Sequence, residues 1–221
     1  MKKLLLAAAV AALPSIAHAQ NAYVEGAIGL SLLPDIQTDN YTFTTPSGVF
    51  AGNAETDYGA DWAFGLEGGY QTGPWRFGVS WDIIHSEVNH ARLEGTLNGA
   101  PFSAEVSDQQ LADFGIGANN DINIFAANAY YVFNSFNLAN LGFGIQPYIG
   151  IGLGAATINN ASTEFDFLLT LGADVPLGQN FYLGGRYRVN FISGPTTDTN
   201  IKFGSITAHI ISIVIGYRFP V

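Results

Sequence analysis

The stretch Ile206-Thr207-Ala208-His209-Ile210-Ile211-Ser212-Ile213-Val214-Ile215-Gly216-Tyr217-Arg218-Phe219 decides the fold. From Ile211 onward every second residue is large and apolar: Ile211, Ile213, Ile215, Tyr217 and Phe219. Between them stand Ser212, Val214, Gly216 and Arg218, which are small, polar or charged. A period of two is the mark of a strand with two different faces. An arginine set between two aromatics on such a strand fits one face in lipid and the other in a wet interior.

The pattern recurs upstream, and the chain opens like an exported protein. Lys2 and Lys3 form a basic start, Leu4 to Leu13 is an apolar run of ten residues, and Ala17-His18-Ala19 gives the small-residue pattern of a cleavage site. Cleavage is expected after Ala19, with residues 1–19 as signal peptide and 20–221 as one domain. Ten apolar residues are too few for a membrane helix, which needs about 20. The expected class is therefore all-β: an eight-stranded antiparallel transmembrane β-barrel of a bacterial outer membrane, with short periplasmic turns and longer extracellular loops.

Composition narrows the function. The chain has 8 basic and 18 acidic residues. Removing Lys2 and Lys3 leaves 6 against 18, a net charge of −12. Nucleic-acid binding is excluded on that balance, because phosphate contacts need a basic surface. With no cysteine, disulfides and metal–thiolate sites are excluded as well. Charged residues make up 12% of the chain, about half of what an ordinary soluble domain carries.

Eight segments read as strands of about nine residues or more, the length that crosses a bilayer at a tilt. They are 23–33, 62–71, 75–84, 121–134, 143–158, 164–175, 181–192 and 206–219. The seventh is the most informative: Phe181, Leu183, Tyr187, Val189 and Phe191 oppose Tyr182, Gly184, Arg186, Arg188 and Asn190. In the fourth both faces are mostly apolar, and its register stays open. Thr72-Gly73-Pro74 and 176–180 read as short turns, while 34–61 and 85–120 read as long polar loops. Asn98-Gly99 suits a type I′ turn and predicts a hairpin of 92–97 with 100–106 that extends the barrel above the membrane.

This register sends Arg76, Arg186, Arg188 and Arg218 inward together with Glu25, Glu67, Asp166 and Asp174. Asp82 and Glu164 also point inward, nearer the loops. An arginine on the lipid face costs roughly 2–4 kcal/mol at mid-membrane, and a one-residue slip of the seventh strand would expose two. Eight strands leave a lumen just wide enough for side chains to fill. The inward charges are expected to pair as a structural plug, with Arg186 meeting Glu67; the other reading is a narrow ion path.

No catalytic constellation emerges. His209 and Ser212 point to opposite faces of one strand, and Gly150-x-Gly152-x-Gly154 marks a small inner face, not a phosphate cradle. No enzyme activity and no cofactor are expected. His85 and His90, near Asp82, Glu87 and Glu94, lack a recognised ligand spacing and read as a solvated polar loop with no metal. The surplus acids fall in the loops, including Asp35, Asp39, Glu55, Asp57, Asp61, Glu87, Glu94, Glu105, Asp108 and Asp113. They suit solubility, or a surface for cations or a basic partner.

Several short motifs carry a family resemblance. Gln146-Pro147-Tyr148-Ile149-Gly150-Ile151-Gly152-Leu153-Gly154 resembles a strand of small opacity-type, outer-membrane protein A-like barrels and related surface antigens, often grouped as a "porin family". Asn128-Ala129-Tyr130-Tyr131-Val132-Phe133, Gly185-Arg186-Tyr187-Arg188 and Gly216-Tyr217-Arg218-Phe219 resemble other strands of that family. Such chains commonly end on the terminal Phe; here Pro220 and Val221 follow it. The resemblance implies an eight-stranded barrel among outer-membrane lipids and lipopolysaccharide. Insertion would use the barrel assembly machinery, with Tyr217 and Phe219 as the terminal-strand signal. The implied role is envelope structure, antigenicity or contact with an extracellular partner. A narrow channel, a lipid-modifying enzyme and a soluble lipocalin-like barrel are the competing readings.

Overall fold

The computed structural model describes residues 22–37, 40–45, 48–107, 119–137, 144–158, 162–196 and 204–219. The expected signal peptide, its cleavage site after Ala19, the loop acids Asp39, Asp108 and Asp113, and the two residues after Phe219 lie outside them. The described strands are β1 (Ala22–Leu32), β2 (Ile36–Gln37), β3 (Tyr41–Thr45), β4 (Gly48–Tyr58), β5 (Ala60–Thr72), β6 (Trp75–Leu97), β7 (Ala100–Ser107), β8 (Asn119–Val132), β9 (Phe136–Asn137), β10 (Gly144–Ile158), β11 (Thr163–Pro176), β12 (Phe181–Ile192) and β13 (Ile206–Arg218).

Eight of these close a barrel in the order β1-β5-β6-β8-β10-β11-β12-β13, every neighbour antiparallel, and β13 returns to β1 through Tyr23↔Arg218 to Leu32↔His209. Closure satisfies every ladder within the wall, which a bilayer demands of any strand structure. The expected fold is thus the observed one. Gly73-Pro74 joins β5 to β6 in a tight turn, with Gly73 at φ +56°. Residues 177–180 join β11 to β12, and both ends of the described barrel lie on this same side.

The outer face is apolar. Ile28, Leu30, Ile151, Leu153, Leu171, Ile211, Ile213 and Ile215 are all exposed to what surrounds the barrel. Aromatics gather at its two edges. Trp75 packs edge-on to Tyr131, and Phe181 to Tyr217, at the short-turn end; Trp81 stacks with Phe125, and Phe167 with Phe191, toward the other. Inside, the faces reverse, with arginine and carboxylate groups buried. A soluble lipocalin-like barrel would show the opposite distribution, so that reading is excluded.

One expectation is corrected: 34–61 and 85–120 are not simply loops. β6 runs for 23 residues, and its outer half pairs with β4 on one side and β7 on the other. The barrel wall therefore continues above the membrane as a sheet. The Asn98-Gly99 turn is where the sequence placed it, with φ +53° and +81° as a type I′ turn requires. A bulge also interrupts β6: Asp57 pairs with His90 but Tyr58 pairs with Val88. The extra residue shifts the alternation, so that Val88 and Ala91 both face inward, packed with Tyr58 and Val106.

The open register of β8 is also settled. Ile122, Ile124, Ala126, Asn128, Tyr130 and Val132 face inward, and Phe125 and Tyr131 outward.

Candidate functional site

The lumen is where the strands gather their polar side chains. Nine of the ten charges read as inward lie there, Asp82 among them, while Glu164 at the start of β11 is partly exposed and accepts a hydrogen bond from Ser162. Glu25, Glu67, Arg76, Asp166, Asp174, Arg186 and Arg188 are buried, and Arg218 is partly buried at the short-turn mouth. From that mouth inward, Arg218 donates to Gln146 at 3.0 Å and to Asp174 at 3.5 Å, and its guanidinium lies 4.7 Å from the centre of the Tyr182 ring. Arg76 bonds Asp174 at 2.7 Å and lies within 5.7 Å of the Tyr23, Tyr148 and Tyr182 ring centres. Arg186 bonds Glu25 at 2.5 Å and stands 3.6 Å from Glu67, the meeting expected from their heights. Arg188 bonds Asp82 at 2.5 Å and Glu67 at 3.2 Å. Asp166, by contrast, is held by Asn190 at 3.0 Å, and no ion pair joins it to an arginine among the described residues.

Buried charges persist only when paired and hydrogen-bonded. Glu67 meets that condition fully: Tyr23 and Tyr130 each donate to it at 2.6 Å and Asn128 at 3.1 Å, besides the two arginines. Tyr182 donates to Glu25 at 2.9 Å. These tyrosines were not singled out from the sequence, yet they share one construction. Tyr23, Tyr130, Tyr148 and Tyr182 stand in register opposite Gly69, Gly150, Gly172 and Gly216. In the last three pairs, a methyl on the glycine would overlap the tyrosine ring. The absent side chain lets each ring lie flat across its neighbour strand and carry its hydroxyl to the centre. Asp82, read from the sequence as pointing inward nearer the loops, is a direct partner of Arg188.

Above the charges the lumen turns apolar, where the sequence reading expected small and polar groups. Leu33, Ile84, Ile122, Ile124, Ile158, Leu168, Ile192, Ile206 and Ile210 form one buried cluster inside the outer half of the barrel. A void of about 10 Å³ remains beside Asp82, Arg186 and Arg188, at the lower limit for a single water.

On the outside of the wall, β5, β6 and β8 bring a second polar group together. His85 Nδ1 lies 2.6 Å from Asp121 Oδ1, its register partner. His85 Nε2 lies 3.9 Å from Asp61 Oδ2 and 3.8 Å from Glu87 Oε1. The Trp62 ring stacks on the imidazole at 5.1 Å. The hydrogen bond to Asp121 raises the His85 pKa above its ordinary value. His90 pairs separately, with Asp57 at 3.3 Å. His209 meets the Tyr187 hydroxyl at 2.8 Å, and Ser212 faces the lumen, as strand alternation requires.

A closed eight-stranded wall, lipid-facing outside and charge-filled inside, defines an outer-membrane β-barrel. The chain belongs to the family described as "Outer membrane protein beta-barrel domain", whose model matches residues 4–219. No curated protein matches it. Among solved structures it is similar to the outer membrane protein OprG from Pseudomonas aeruginosa, at 13% identity and a TM-score of 0.55, covering 92% of this chain and 98% of that one. It is also similar to Neisserial surface protein A (14%, TM-score 0.44, 90% and 97% covered) and to the outer membrane protein AlkL (13%, TM-score 0.46, 92% of each). At 13% identity the likeness to OprG speaks for the fold alone, and the family speaks for the outer membrane.

Proposed function

We propose that this protein is a non-enzymatic outer-membrane anchor, with a lumen that does not conduct and an extracellular wall that makes contacts at the cell surface. The observation that carries the reading is the double closure of the lumen. Arg76, Arg186 and Arg188 bridge acids from facing strands, and an apolar layer lies above them. A hydrated ion would have to break buried ion pairs and then cross a constriction that disfavours water. A narrow channel through the same charges is the competing reading, and it needs those pairs to part.

With the lumen closed, specificity falls to the surface. The outward face of the outer sheet carries Glu55, Asp57, Glu94 and Glu105 around a single arginine, Arg92, which bonds Glu94 at 2.9 Å. Such a face suits a basic partner. Lipopolysaccharide and lipid would surround the wall below it, and Tyr217 and Phe219 would present the last strand to the assembly machinery. Binding of fluorescent oligolysine to cells displaying the protein tests the surface role. Binding should fall when Glu55, Glu94 and Glu105 are all changed to glutamine, and should weaken with salt. Equal binding by both forms would count against it.

A further inference from the structure

His85 and Glu87 stand two residues apart on β6, and Asp61 of β5, which the sequence did not link to them, joins them through the strand register. Each offers one donor atom, and the three atoms lie within 4.8 Å of one another. Atoms so spaced share a point about 2.5 Å from each, and bonds from zinc to nitrogen or carboxylate oxygen are about 2.0–2.2 Å. A contraction of a few tenths of an ångström would close the site. Glu87, whose side chain is 63% exposed, is free to supply it.

The donors are already oriented. An ionised carboxylate only accepts hydrogen bonds, so Asp121 fixes the His85 proton on Nδ1 and leaves the Nε2 lone pair facing Asp61 and Glu87. This carboxylate–histidine arrangement is the usual outer support of a metal-bound imidazole. Asp61 is held in turn: its Oδ1 accepts the Trp62 backbone N–H at 2.7 Å, while Oδ2 is the atom nearest Nε2. The Trp62 ring against the imidazole limits its rotation. An ion-pair cluster around a protonated histidine is the simpler description. It accounts for the Asp121 contact, but it leaves three carboxylates around one positive charge. A dication bound to the neutral imidazole balances them better.

We propose that Asp61, His85 and Glu87 bind a borderline divalent cation of the zinc class on the outer wall, with Asp121 as a positioning residue. The imidazole donor separates this site from calcium and magnesium sites, which are built from oxygen alone. The inference is independent of the lumen and of the surface role.

The test is isothermal titration of zinc into the refolded, metal-stripped full chain in detergent, with a heat-dependent gel shift confirming that each variant is folded. One zinc should bind per chain, and a tenfold excess of magnesium should not displace it. His85→Asn should abolish binding, Asp121→Asn should weaken it about tenfold or more, and His90→Asn should leave it unchanged. Absence of zinc binding by the folded wild-type chain would overturn the proposal. So would a His85→Asn variant that binds as the wild type does.

Discussion

Glu25 and Glu67 are register partners on β1 and β5, both buried, and one guanidinium from β12, two strands beyond β1, faces them together: Arg186 lies 2.5 Å from the first and 3.6 Å from the second. Two like charges side by side in a lumen need cations between them; Arg76 reaches the first and Arg188 the second, and Arg186 reaches both.

Removing the bridge should therefore cost far more than removing a surface ion pair. Arg186→Ala takes from Glu25 its nearest cation and leaves Glu67 only Arg188, and should destabilise the barrel by about 3–5 kcal/mol. Urea unfolding followed by the heat-dependent gel shift measures this. A loss under about 1 kcal/mol, the range of exposed pairs, would mean that the network contributes little.

The tyrosine–glycine pairs should respond unequally to the same methyl. Gly216→Ala pushes against Tyr182, whose hydroxyl bonds Glu25, whereas Gly172→Ala pushes against Tyr148, whose hydroxyl has no hydrogen-bond partner among the described residues. Overpacking alone costs about 1–3 kcal/mol. Both variants should be destabilised, Gly216→Ala more so because it also strains a buried charge-assisted bond. Equal midpoints in urea would show that the hydroxyl adds nothing.

The outer sheet has an alkaline limit. Burial pushes the Tyr58 phenol up to about 12, above the value of about 10 for a free tyrosine. The folded state thus favours the neutral phenol. Its stabilising contribution is intact below about pH 10 and is lost as pH rises toward 12. Ultraviolet titration should show a tyrosine that ionises near pH 12 and that Tyr58→Phe removes, and the variant's outer sheet should resist proteolysis at high pH better than the wild type. Ionisation of Tyr58 near pH 10 would contradict its burial.

The outer hairpin should be separable from the barrel. Gly99 sits at φ +81°, where a β-branched residue is strained. Gly99→Val should open β6 and β7 to limited proteolysis and leave the gel shift of the membrane-embedded strands unchanged. Loss of the gel shift itself would mean that the hairpin is needed for barrel folding.

What the sequence disclosed follows from what lipid enforces. β12 was legible because Arg186 and Arg188 share a face, and either one in lipid would be costly. β8 was not, because its lumen face carries Ile122 and Ile124, which belong to the apolar layer and erase the contrast between faces. Above the membrane nothing imposes a strict alternation. The bulge between Val88 and His90 shifts the pattern by one residue, so the outer half of β6 reads as a loop followed by a hairpin. The pairing of Tyr182 with Gly216, and of His85 with Asp121, depends on cross-strand register, which no single strand discloses.

Single-channel recording of the refolded protein in a planar bilayer tests the closed lumen most directly. The account expects a folded, inserted and silent protein, with current appearing only when buried bridges such as Arg186 and the apolar layer are removed together. Steady, reproducible openings of the wild-type barrel would contradict it and would make the paired charges the lining of a conduction path.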